Sequence, residues 1–194
     1  MFTGIIQNLG VLRRRRTGVL EVEVPASIRE RLTVGASIAV NGVCVTVSEL
    51  SAGTFSADIS QQTLSCTTIG RLKERTPVNL ELPVGPERAF DGHIVLGHVD
   101  TIGRVRGFFR AREGRVFIFS FAREFCRYVA DKGAVTVDGI SLTPFAVSKD
   151  DFRCAVIPQT LALTNLQYRA NGDAVNLEFD ILAKYVEGMI RNVH

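Results

Sequence analysis

Cys44 and Thr46 follow an Asn41-Gly42 pair, and Ser141 and Thr143 follow an Asp138-Gly139 pair. Along a strand, residues two apart share a face, so each pair presents a thiol or hydroxyl beside a threonine hydroxyl. Such groups can hydrogen-bond a polar ligand, position a water, or attack as nucleophiles once a base accepts their proton. Taken singly, each residue is more often a structural one satisfied by backbone. Their recurrence as matched pairs points to a polar ligand site. His93 and His98 are the other groups suited to chemistry near neutral pH. Metal ligation would need a third convergent donor, and a five-residue separation on a strand sends the two imidazoles to opposite faces, which leaves one of them as an acid or base.

The elements that must hold these groups are written twice. Residues 41–82 match residues 138–179 at 12 of 42 positions without a gap, a displacement of 97 in a chain of 194. A repeat of that length is a whole folded unit rather than a solenoid rung, whose period is roughly 20 to 50 residues. Val19 to Val24, Ser37 to Val40, Cys44 to Val47, Phe55 to Ile59 and Val78 to Leu82 read as short strands, with Asn41-Gly42 as a tight hairpin turn. The second half repeats the plan at Val116 to Phe119, Val135 to Val137, Phe152 to Ile157 and Val175 to Phe179. This spacing predicts an all-β protein of two small barrels. Asp58 to Thr63 and Ala155 to Thr160 leave their strands for irregular backbone, whose exposed amides and carbonyls suit the edge of a planar heterocycle; the alternative is that Thr63 and Thr160 cap short helices. Helices are expected after a Ser27 cap, between Arg123 and Asp131 before Gly133, and over 183–192. The last has no counterpart in the first half, and its Tyr185, Met189 and Val186, Ile190 pairs form one apolar stripe. That stripe either packs on its own barrel or associates with another copy.

The composition narrows the function classes. The four cysteines, at 44, 66, 126 and 154, make no C-x-x-C pair and no zinc spacing. Net charge is +3, and the one dense basic run, Arg13 to Arg16, lacks interleaved aromatic residues, so it reads as a solvated hairpin tip rather than a nucleic-acid surface. No apolar run is long enough to span a bilayer and no signal segment is seen, which predicts a cytoplasmic protein.

Met1 to Ile6, Asn41 to Cys44, Gly92 to Asp100, Asp138 to Thr143 and Ala183 to Glu187 together resemble the riboflavin synthase family, alpha-chain type, across essentially the whole chain. The resemblance implies two similar six-stranded Greek-key β-barrels in tandem plus a C-terminal α-helix, divided as residues 1–86, 87–181 and 182–194, with the helix joining three subunits. It implies that two molecules of 6,7-dimethyl-8-ribityllumazine exchange a four-carbon unit, giving riboflavin and 5-amino-6-ribitylamino-pyrimidinedione. That reaction requires no redox cofactor and no metal, and association with lumazine synthase is a further implied partnership. Carried over residue by residue, one lumazine site would use Gly4, Ile5, Ile6, Cys44, Val45, Thr46, Asp58, Ile59, Ser60, Gln61, Gln62 and Thr63. The other would use Gly97, His98, Val99, Ser141, Leu142, Thr143, Ala155, Val156, Ile157, Pro158, Gln159 and Thr160, with Lys132 reaching in from a neighbouring subunit. Cys44, Ser141, His98 and Thr143 are the expected catalytic residues. Asp91, Pro144 and Ala155 depart from the common pattern, and Pro144 suggests a strand edge or bend. A noncatalytic lumazine- or flavin-binding antenna on the same fold is the rival of a different class.

Overall fold

The computed structural model describes residues 1–16, 18–85 and 89–191. In the first half, β1 (Asn8–Arg16), β2 (Val19–Glu23), β3 (Ser37–Val40), β4 (Val43–Ser51), β5 (Thr54–Asp58) and β6 (Pro77–Glu81) close into a barrel in the order β1-β2-β5-β4-β3-β6. Asn41 and Gly42 both take positive φ (45° and 75°), the backbone a two-residue hairpin loop between β3 and β4 needs. Inward residues alternate with outward ones: Leu20 and Val22 of β2 and Phe55 and Ala57 of β5 are buried, and with Ile38, Leu80 and Ile69 they form one apolar core. The arginine run occupies the exposed end of β1, paired with β2.

The second half contains β7 (Thr101–Ala111), β8 (Gly114–Ser120), β9 (Val135–Val137), β10 (Ile140–Leu142), β11 (Pro144–Phe145), β12 (Asp151–Val156) and β13 (Ala174–Phe179), ordered β10-β9-β13-β7-β8-β12-β11. The two end strands are consecutive in the chain and parted only by Thr143. They correspond to β4, interrupted where Pro144 has no N–H to give to a ladder. Counted as one broken strand, they restore the six-strand plan. Its core is aromatic, built around Phe117, Phe119, Phe152 and Phe179.

Helices are short, and several differ from the sequence expectation. α1 (Ala26–Arg29) starts after Pro25 with no side-chain cap, so Ser27 lies inside it. The segment from Arg123 forms a 3-10 turn, Arg123–Tyr128, rather than a longer helix. α2 (Gln61–Cys66) is capped by Ser60, whose hydroxyl accepts from the Thr63 N–H, and α3 (Pro158–Leu163) begins on Pro158 without a side-chain cap. Thr63 and Thr160 are therefore first-turn residues, not caps. α4 (Ile181–Arg191) begins two residues before Ala183. Residues 192–194 and the expected boundary between 86 and 87 lie outside the described residues.

Equivalent residues of the two halves touch each other where the barrels meet. Phe2 and Val95 exchange backbone hydrogen bonds of 2.7 and 3.1 Å, and a Cβ built on Gly42 or Gly139 would lie 2.6 to 2.7 Å from the other's amide nitrogen. Self-contacts of this kind place a local two-fold axis between the halves. Asparagines fill the interface on either side of it: Asn79 Nδ2 donates to the Asp138 carbonyl at 2.9 Å, and Asn176 Nδ2 donates to the Asn41 carbonyl at 2.8 Å.

Candidate active site

Val43, Val45 and Val47 of β4 point into the barrel core, which leaves half-buried Cys44 and exposed Thr46 on its outer wall. Ser141 and Thr143 stand likewise outside, between buried Ile140, Leu142 and Pro144. Cys44 and Ser141 are each covered by a glycine from the opposite half. The Cys44 N–H donates to the Gly97 carbonyl at 3.0 Å, and the Ser141 N–H donates to the Gly4 carbonyl at 2.7 Å. Both glycines have φ +78°, and a Cβ on either would come within 2.6 to 2.7 Å of the Cys44 or Ser141 Cβ, so conformation and space alike exclude a side chain.

Two buried glutamates hold these covering segments. Glu81 at the end of β6 accepts from Thr3 N–H at 2.8 Å, Thr3 Oγ1 at 2.8 Å and Gly4 N–H at 3.0 Å. Glu178 of β13, its repeat counterpart, accepts from the N–H groups of Leu96, Gly97 and His98 at 2.7, 3.0 and 3.1 Å. Burial pushes the Glu178 carboxyl above its ordinary value; the Leu96 and Gly97 amides and the nearby Lys184 pull the other way, and Asp100 adds to the rise. Each segment is thus anchored on its own half and presented across the interface to the other.

This crossing corrects the grouping expected from sequence. Gly97, His98 and Val99 line a cleft of about 250 Å³ with Val43, Cys44, Gln62, Thr63, Cys66 and Thr67. Gly4, Ile5 and Ile6 line one of about 140 Å³ with Ile140, Ser141, Gln159, Thr160, Leu163 and Thr164, together with Ile157. Apart from Ile157, every wall residue of one cleft is the repeat counterpart of a wall residue of the other. Of the remaining candidates, Val45, Ile59, Leu142 and Val156 turn their side chains into the barrel cores. Thr46, Asp58, Ser60, Gln61, Thr143, Ala155 and Pro158 lie outside both linings. Lys132 is exposed, takes φ +61°, and lines neither cleft. Cys66 and Leu163 are wall residues the motifs did not reveal, although each sits three positions past its shared threonine, on the next turn of α2 or α3.

The two imidazoles serve different halves. His98 is exposed in the Cys44 cleft. His93 Nδ1 lies 2.7 Å from Ser141 Oγ, and its backbone N–H donates to the Thr3 carbonyl at 3.2 Å. Residues 92–100 form a loop with one bridge at Val95, so His93 diverges from His98 by loop path and not by strand alternation. Burial lowers the His93 pKa below its ordinary value and so favours the neutral ring, while the negative charge of Asp180 pulls part of the way back. A neutral imidazole against a hydroxyl is the pairing that can accept its proton.

A family model described as the lumazine binding domain matches residues 3–83 and again 96–180. Riboflavin synthase of Actinobacillus pleuropneumoniae is 38% identical over 96% of this chain and 88% of its own length. Riboflavin synthase of Mycobacterium tuberculosis is 39% identical over 99% of both. Among solved structures, LumP complexed with 6,7-dimethyl-8-(1'-D-ribityl) lumazine has a TM-score of 0.82 over 92% of this chain and 99% of its own, at 21% identity, a likeness of fold. With two lumazine-binding domains and full-length likeness at such identities, the chain belongs to the riboflavin synthase family.

Proposed function

We infer that the chain transfers a four-carbon unit between two molecules of 6,7-dimethyl-8-ribityllumazine, yielding riboflavin and 5-amino-6-ribitylamino-pyrimidinedione. The observation that carries this reading is the pair of matched clefts with unmatched chemistry: Cys44 and His98 in one, Ser141 and Ile5 at the same places in the other. Two similar walls suit one compound bound twice, and their differences suit donor and acceptor roles. One lumazine loses a proton from its C7 methyl group and the resulting carbanion attacks the other. Holding both rings in register is the protein's main contribution, and such proximity can supply roughly 7 to 11 kcal/mol. In this reading His93 takes the Ser141 proton, or that of a water beside it, and His98 assists proton transfer in the Cys44 cleft. Cys44 and Ser141 flank the reacting C7 carbons, and Thr46 and Thr143 hydrogen-bond the ligand rim.

The clefts share no residue, and each is smaller than the roughly 300 to 1,000 Å³ of a complete small-molecule pocket. A neighbouring copy would close them, bringing a Cys44 cleft against a Ser141 cleft with Lys132 reaching over from its exposed turn. A homotrimer joined through α4 fits that need. We place the protein in the cytoplasm, in keeping with four unpaired cysteines; among the described residues no helix is long and apolar enough to cross a membrane. Association with lumazine synthase is supported by the family resemblance alone. Mixing the chain with dimethylribityllumazine should produce riboflavin absorbance at one equivalent per two lumazines consumed. Saturable binding with no turnover would instead identify an antenna protein.

A further inference from the structure

We propose that the cleft between the loop entering β6 and the segment after α3 binds the phosphate group of a small phosphorylated molecule. The cleft has a volume of about 360 Å³ and is separate from both clefts described above. Lys73 and Arg75 enter it from the first half and Arg169 from the second, against a single carboxylate on the wall, Glu74. Lys73 and Arg75 make no ion pair among the described residues. Arg169 Nη2 donates to Asp138 Oδ2 at 2.5 Å, and its Nε has no partner among the described residues. Three cations, two of them uncommitted, match a dianion, and guanidinium forks fit the tetrahedral edge of a phosphate. Tyr168, 57% exposed at the rim, offers a flat face to an aromatic substituent.

The fold alone does not call for Lys73 and Arg75, because the repeat builds the same turn without them, whereas Arg169 also pairs with buried Asp138. Lys73, Arg75 and Arg169 correspond to Ala170, Gly172 and Leu72. The Arg75 N–H donates to the Leu12 carbonyl at 2.8 Å, and the Gly172 N–H donates to the Val105 carbonyl at 2.8 Å, so the two positions do one backbone job. Gly172 performs it at φ +91°, where glycine is at ease; Arg75 performs it at φ +69°, a conformation an L side chain resists. Strain retained at a position where the other repeat shows a relaxed solution argues that the guanidinium is kept for a ligand.

Calorimetric titration of the full chain at low ionic strength with inorganic phosphate and with phenyl phosphate tests this. Saturable binding at one site per chain is expected, weakened about tenfold or more by Lys73→Ala and by Arg75→Gly, the worth of one charge-assisted contact. Arg75→Gly should melt no lower than the parent, which separates loss of the site from loss of the fold. Neither residue lines the Cys44 or Ser141 cleft, so lumazine turnover without added phosphate should be unchanged in both variants. Absence of saturable binding with either probe, or binding undiminished in both variants, overturns the proposal.

Discussion

At Ser141 the proposed chemistry rests on one contact, the 2.7 Å approach of Oγ to His93 Nδ1. Positioned proton transfer is typically worth about 10²- to 10⁴-fold in rate, and it is lost when the group that exchanges the proton is removed. Ser141→Ala and Cys44→Ala should therefore lower turnover far more than lumazine affinity, measured by single-turnover kinetics beside equilibrium titration; unchanged turnover in both variants would sink the roles assigned to them. His93 carries a pH signature as well. Its pKa in the fold is below the ordinary value of about 6.5, so in the window between the two the unfolded chain binds a proton that the folded chain refuses. Stability attributable to His93 is intact above that window and is lost as pH falls through it. Melting the parent and His93→Gln from neutral to mildly acid pH should show the smaller acid loss in the variant, and equal losses would remove His93 as the cause. The thiol and hydroxyl were legible in sequence because they repeat beside a turn. The His93 pairing was not, because its partner lies 48 residues away and no local spacing encodes a contact between a loop and a broken strand.

Among the elements, the covering segments wall each cleft, and α4 is the one proposed to join copies. Glu178 spends both carboxylate oxygens on three backbone N–H groups, whereas glutamine has only one acceptor oxygen. Glu178→Gln leaves at least one buried donor facing an NH₂ group, a loss of about 1 to 3 kcal/mol. It should lower the melting temperature and weaken ligand binding in the Cys44 cleft more than in the Ser141 cleft, a split readable by fluorescence titration; equal weakening in both would mean the segment acts only through global stability. On α4, Lys184 pairs with Asp100 at 2.6 Å, and Glu187 accepts from Tyr128 Oη at 2.8 Å and pairs with Arg127. The helix thus docks on its own barrel through its polar residues and turns Tyr185, Val186, Met189 and Ile190 outward, Met189 to 67% exposure. An outward apolar stripe on a polar-docked helix is what a contact between copies requires. If the proposed trimer forms through this stripe, Met189→Glu should shift sedimentation toward monomer and reduce turnover while each barrel still melts cooperatively; an unaltered sedimentation profile would rule the stripe out as that contact. Sequence showed the stripe, but which face of the helix docks depends on Tyr128 and Asp100, more than fifty residues distant.

For the molecule as a whole, the local two-fold axis explains why reading the halves one at a time misassigned the clefts. A displacement of 97 pairs each motif with its own copy, yet Gly4 serves Ser141 and Gly97 serves Cys44 because each leading segment crosses the axis. The axis is imperfect, and its main breach is electrostatic. Asn41 in the first half corresponds to fully buried Asp138 in the second, and Leu72 corresponds to Arg169. Asp138 accepts from the Asn176 N–H at 2.8 Å, from Asn165 Nδ2 at 2.9 Å and from Arg169, three residues before Ser141. Its turn is therefore held by a charge pair where the first half uses neutral groups. Breaking such a pair by removing one member typically costs about 3 to 5 kcal/mol because the other charge stays buried, while replacing both is often neutral. Arg169→Leu alone should destabilise by that order in chemical denaturation and disturb the Ser141 cleft. Adding Asp138→Asn reproduces the Asn41–Leu72 arrangement of the first half, so the double variant should recover most of the lost stability. If the double variant is as unstable as the single one, the two halves are not interchangeable at their shared axis, and the second barrel depends on its charge pair for its own packing.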